Sequence, residues 1–85
     1  MYLYLGGETL AHTEEVLGLF DLDTTTLSKK TREFLSQAEK EGRVVNTSTE
    51  LPKSFILVSA KKQKNSTVYI SQLSPGTLKK RIGTL

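Results

Sequence analysis

Apolar residues recur along this chain with two different periods, and the changes of period mark its elements. Tyr2-Leu3-Tyr4-Leu5 is rich in β-formers and ends at Gly6-Gly7, a turn signal. Val16-Leu17-Gly18-Leu19-Phe20-Asp21-Leu22 is too apolar for a one-sided strand and predicts a strand covered on both faces. Gly18 inside it implies a bulge or a close backbone approach. From Thr26 the period becomes helical. Leu27, Thr31, Phe34, Leu35 and Ala38 share one face, a Thr of the 24–26 run supplies the N-cap, and Gly42 sits at the C′ position. Residues 43–46 predict a short strand and 47–52 a polar loop. Strands over 54–60 and 67–71 flank a polar hairpin connection, 61–66. Ser74-Pro75 opens a last short helix, with a cap followed by proline at the first helical position. The predicted order is β-β-α-β-β-β-α. This is an α+β fold with a small mixed or antiparallel sheet, one main helix and a short C-terminal helix. No repeat or linker interrupts it, so residues 1–85 are expected to form a single domain.

This pattern raises a packing question. Phe55 to Val58 and Val16 to Phe20 both call for cover on two faces, and one helix with a stub covers one side of a sheet. Either the sheet curls into a barrel or a second copy of the chain covers the open face. A chain of 85 residues has little core to spare, which favours the second copy.

Charge sharpens the picture through its placement. Residues 1–23 hold five acids (Glu8, Glu14, Glu15, Asp21, Asp23) and no base, whereas residues 24–85 hold all twelve bases and four acids. From Leu51 onward there are seven bases and no acid. An acid-free, base-rich C-terminal stretch favours a polyanionic partner over simple solvation. The N-terminus lacks a basic region and a cleavage site, and the longest apolar run is Phe55 to Val58, so the expectation is a soluble cytoplasmic protein without a membrane span.

Chemistry of catalytic type finds little support. There is no Cys and only one His, which removes a thiolate nucleophile, a thiolate zinc site and a multi-histidine metal site. Glu14-Glu15 are neighbours that a strand would point to opposite faces, so they cannot work as an acid–base pair. Asp21, Asp23 and Glu8 could hold a cation, but a solvated acidic edge is the plainer account. His12 reads as a surface or turn histidine, and Gly6-Gly7 lacks phosphate-loop spacing. The expectation is no enzyme, no cofactor and no metal.

Basic residues instead gather in four places. These are Lys29-Lys30-Arg32 at the start of the long helix, Lys53 entering a strand beside Ser54, Lys61-Lys62-Lys64 at the hairpin tip, and Lys79-Lys80-Arg81 near the C-terminus. Interleaved Ser, Thr and Asn suit phosphate oxygens. Each cluster alone fits a solvated surface; four in an acid-poor half point to an anionic partner. The helix-start cluster is placed where helix amides also attract anions. Lys29, Lys30, Arg32, Lys53, Ser54, Lys61, Lys62 and Lys64 are the candidate contacts. All six aromatics lie in predicted strands or on the helix core face and none among loop bases, so backbone-dominated duplex DNA fits better than base stacking on a single strand.

These segments together resemble the RemA/RemB family of bacterial extracellular matrix regulators. The residues that carry the likeness are Met1-Tyr2-Leu3-Tyr4-Leu5-Gly6, Val16-Leu17-Gly18-Leu19-Phe20-Asp21, Lys53-Ser54 leading into Phe55-Ile56-Leu57-Val58, and Tyr69-Ile70-Ser71-Gln72-Leu73-Ser74-Pro75 with Thr77-Leu78-Lys79-Lys80-Arg81. The resemblance implies a cytoplasmic DNA-binding regulator of biofilm matrix genes. It also implies a fold similar to LytTR-type DNA-binding domains and ring-shaped homo-oligomers that engage duplex DNA. Family bases directly before the penultimate strand correspond to Leu51-Pro52-Lys53, where Lys53 keeps the charge. A second family arginine corresponds to Glu14-Glu15. The alternative is an oligomeric adaptor that binds an acidic protein or a RemA-like paralogue; an RNA-binding subunit is a third class.

Overall fold

The computed structural model describes residues 2–22, 28–59 and 66–83. Strands β1 (Tyr2–Gly6) and β2 (Thr9–His12) form an antiparallel hairpin, and one 3-10 turn (Thr13–Glu15) leads to β3 (Val16–Asp21). Helix α1 (Lys29–Lys40), β4 (Val44–Asn46), β5 (Ser54–Val58), β6 (Thr67–Ser71) and α2 (Pro75–Gly83) follow. The second sheet has the order β3-β5-β6-β4, antiparallel except for the parallel pair β4–β6. The expected α+β class stands, with one strand more than the sequence pattern predicts. That strand is β2, whose outward residues Leu10 and His12 and small inward Ala11 give only a faint alternation.

The four-stranded sheet is covered on both faces by its own chain. Phe55, Val68 and half-buried Leu57 and Ile70 meet Phe34, Leu35 and Ala38 of α1. On the opposite face Ile56 and Val58 meet Leu3, Leu5 and Ala11 of the hairpin and Leu78 of α2. This corrects the packing argument above: the second face needs neither a barrel nor a partner. β5 is covered on both sides as predicted, with Phe55 and Ile56 both buried. β3 is not, because it is an edge strand on which Leu17 is 64% and Phe20 42% exposed. The predicted bulge at Gly18 is there, as a register shift between Val16 and Gly18.

Local chemistry explains the boundaries. Gly7 turns the hairpin at φ +57°, and a side chain there would run into the Thr47 carbonyl, so conformation and space both demand glycine. Gly42, at φ +71°, ends α1 in the left-handed C′ conformation that its place predicts. The N-cap differs from the expectation. Ser28 takes that role and accepts from the Thr31 N–H at 3.1 Å, while the threonines at 24–26 lie outside the described residues. Ser74 caps α2 by accepting from the Thr77 N–H at 3.2 Å, as its sequence suggests.

Candidate nucleic-acid interface

Strand direction decides which bases share a surface. β3, β4 and β6 run one way and β5 runs the other, so Asp21, Asn46 and Ser71 finish at the end of the sheet where Ser54 begins. α1 ends beside the start of β4, where the Arg43 N–H donates to the Ala38 carbonyl at 2.9 Å. Its 12 residues span about 18 Å at 1.5 Å per residue, which carries Lys29 back toward the end holding Lys53. The helix-start bases and the strand-entry base therefore lie toward one end.

Lys53 is the most firmly seated of them. The Leu22 N–H donates to its carbonyl at 2.9 Å, and its own N–H donates to the Ser71 carbonyl at 2.9 Å. Its backbone is thus tied between β3 and β6 while the residue stays exposed. Lys29, Lys30 and Arg32 are exposed in the first turn of α1, which holds no acid. Positive charge there opposes the helix dipole, at a cost of a few tenths of a kcal/mol per group, and an anion at this end would relieve it. The ion pair from Lys29 to Glu33 is 4.0 Å long between largely exposed side chains and contributes little.

Other candidate residues are placed differently. Ser54 is fully buried and its hydroxyl donates to the Leu73 carbonyl at 2.7 Å, so its role is structural and not that of a phosphate donor. Lys61, Lys62 and Lys64 lie outside the described residues; β5 ends and β6 begins at the opposite end of the sheet from Lys53. Lys79 and Lys80 are exposed on α2, on the hairpin side, and the Arg81 guanidinium lies 5.3 Å from the Tyr4 ring. Arg43, absent from every basic cluster, is a brace. It donates to Glu41 at 2.7 and 2.9 Å and to the Ser66 carbonyl at 2.7 Å, and lies 5.8 Å from the Phe34 ring.

The acidic side holds its own corrections. Glu14 and Glu15 sit in the 3-10 turn instead of a strand, and Glu14 is held below the usual carboxylate range, chiefly by a backbone hydrogen bond. His12 is exposed, its ring 4.5 Å from that of Tyr2 and tilted by 36°, with Nδ1 3.9 Å from Glu14. Asp23 lies outside the described residues, and no three His, Asp or Glu side chains gather into a metal site among those described. Phe20, which the sequence pattern predicts under cover, and Tyr2, at 59% exposure, are open aromatics; the Tyr2 ring meets His12 and the Phe20 ring stacks on Phe55. No helix among the described residues is long and apolar enough to cross a membrane.

No family model matches the chain. It is 32% identical over 81 residues to extracellular matrix regulatory protein B of Bacillus subtilis (strain 168), covering 95% of this chain and 89% of that one. The chain belongs to the family of extracellular matrix regulatory protein B.

Proposed function

We propose that this protein is a non-catalytic, cytoplasmic regulator of extracellular matrix genes that binds duplex DNA as a ring-like homo-oligomer. The observation that carries the DNA reading is the placement of exposed Lys53, on a backbone tied to two strands, toward the sheet end where α1 begins with Lys29, Lys30 and Arg32. A base on a fixed backbone loses less freedom on binding than one on a terminal helix. Repetition of the same surface around an oligomer lets modest phosphate contacts add through avidity. The relative's name supports the matrix role, and the exposed apolar edge residues Leu17 and Phe20 support assembly.

Fluorescence anisotropy on a labelled duplex tests this reading. Lys53→Glu should weaken binding about tenfold more than Lys80→Glu, with the native mass unchanged in both. Replacing Lys61, Lys62 and Lys64 by Gln should flatten the slope of log affinity against log salt by about 0.9 for each phosphate contact that is lost. If Lys80→Glu is the more damaging, the interface lies on the α2 side. Absence of any salt-dependent duplex binding favours the adaptor that engages an acidic protein or a RemA-like paralogue.

A further inference from the structure

Six large apolar side chains are exposed among the described residues, and one of them differs from the rest in its setting. Tyr2, Leu10, Leu17, Phe20 and Val45 belong to strands. Leu51 lies on the loop between β4 and β5 and is 78% exposed, more than any of the others. A single exposed leucine is common on protein surfaces and by itself signals nothing. Here its neighbour Pro52 is exposed as well, and Lys53 follows on the backbone tied to β3 and β6.

The loop holds this apolar tip in place from both ends. At its start the Thr47 N–H donates to the Ile70 carbonyl at 3.0 Å, and Thr47 Oγ1 donates to the same carbonyl at 2.8 Å. The Glu50 N–H donates to Ser48 Oγ at 3.0 Å, which braces the middle. At its end the Lys53 N–H donates to the Ser71 carbonyl at 2.9 Å. Proline fixes its own φ and keeps the residue before it out of the helical region, so Leu51 is confined to extended backbone. Proline also lacks an N–H, so the tip has one donor fewer to strip of water on burial.

We infer that Leu51, backed by Pro52, is a wedge that enters the minor groove of duplex DNA and parts two stacked base pairs. The inference rests on the duplex reading above and specifies how that surface engages its ligand. A wedge needs apolar bulk, a firm backing and bases nearby to hold the flanking phosphates. Lys53 stands two residues from Leu51, α1 brings Lys29, Lys30 and Arg32 toward the same end, and no acid follows Leu51 in the chain. Glu50 is the one acid of the loop and disfavours a phosphate on its own side, which leaves the backbone contact to Lys53. Such a wedge reads stiffness instead of base edges. Pyrimidine–purine steps such as TA unstack easily, whereas A-tracts resist.

Two duplexes of equal length test the wedge. One holds central TA steps with 2-aminopurine in place of their adenines, and the other is an A-tract. Unstacking brightens 2-aminopurine, and energy transfer between dyes on the two ends reads the kink. Wild type should brighten and bend the TA duplex and bind it about tenfold more tightly than the A-tract. Leu51→Ala, at an exposed site, should keep the fold in a circular dichroism melt. It should also keep the salt slope, because Lys53 remains, and lose the brightening, the kink and the preference. Leu51→Met should restore all three. If Leu51→Ala still unstacks and bends the duplex, or wild type binds without unstacking, the wedge is overturned and the duplex reading stands. If Leu51→Ala lowers the native mass and leaves unstacking unchanged, the tip is a contact between copies, and the wedge is overturned too. Absence of salt-dependent duplex binding by wild type overturns both.

Discussion

The two faces of the four-stranded sheet are covered in different ways. α1 lies over one face with Ala38 its only fully buried residue, and its Phe34 and Leu35 are only half-buried over Phe55 and Val68 of the sheet. The hairpin and α2 seal the other face with Leu3, Leu5 and Leu78, all at 1% exposure or less. Among the described residues the buried polar ones, Ser54 and Ser71, both belong to that second face. Ser71 donates to the Leu5 carbonyl and Ser54 to the Leu73 carbonyl, which ties the hairpin and the approach to α2 onto the sheet. Most of the tight packing therefore comes from two short strands and a short terminal helix. The element with the clearest periodicity supplies the looser cover.

Truncation on each face should expose the difference most strongly. Leu5→Ala removes a fully buried side chain between hairpin and sheet and should cost about 3 kcal/mol. Leu35→Ala removes a half-buried one beneath α1 and should cost about half as much. Urea unfolding at equal protein concentration reads both, since stability in an oligomer depends on concentration. Equal losses would show that the helix face carries as much of the fold as the hairpin face.

An intermediate effect is expected from the serine that anchors the hairpin. Ser71→Ala takes away the hydroxyl that donates to the Leu5 carbonyl and accepts from the Leu73 N–H at 3.0 Å. The cost should be about 2 kcal/mol, because polar groups are left buried with fewer partners. Amide exchange should speed up in β1 and β2 before it does in α1. Faster exchange in α1 first would place the weak point on the other face.

How far the sequence discloses this arrangement depends on how local each signal is. The 3.6-residue period of Phe34, Leu35 and Ala38 and the C′ Gly42 locate α1 without any tertiary information. β2 has four residues, two of them outward, so alternation cannot announce it; the remaining signal is a β-rich run ending at Gly6-Gly7, which invites a hairpin partner. The cover on the second face was illegible for the same reason. Base clusters are visible as residue types, but their grouping is topological. Only the strand directions place Lys53 with the start of α1, and neighbours in sequence can separate completely, as exposed Lys53 and buried Ser54 do.

The smallest effect should come from the cap of α1, and it links the looser face to the proposed interface. Ser28 Oγ accepts from the Thr31 N–H and pairs with Thr31 Oγ1 at 2.9 Å, and this turn presents Lys29, Lys30 and Arg32. Ser28→Ala frees that N–H in an exposed first turn, for which about 1 kcal/mol and a fall in Tm of about 5 °C are expected. Core packing on the hairpin face is untouched, so the unfolding m-value should stay unchanged. Duplex affinity should fall as well, by less than for Lys53→Glu, because a frayed turn holds its three bases less firmly while Lys53 stays tied to β3 and β6. Thermal melts with anisotropy titrations on the same variant separate the two consequences. A fall in Tm with unchanged affinity would remove the helix-start bases from the interface and leave Lys53 as its centre.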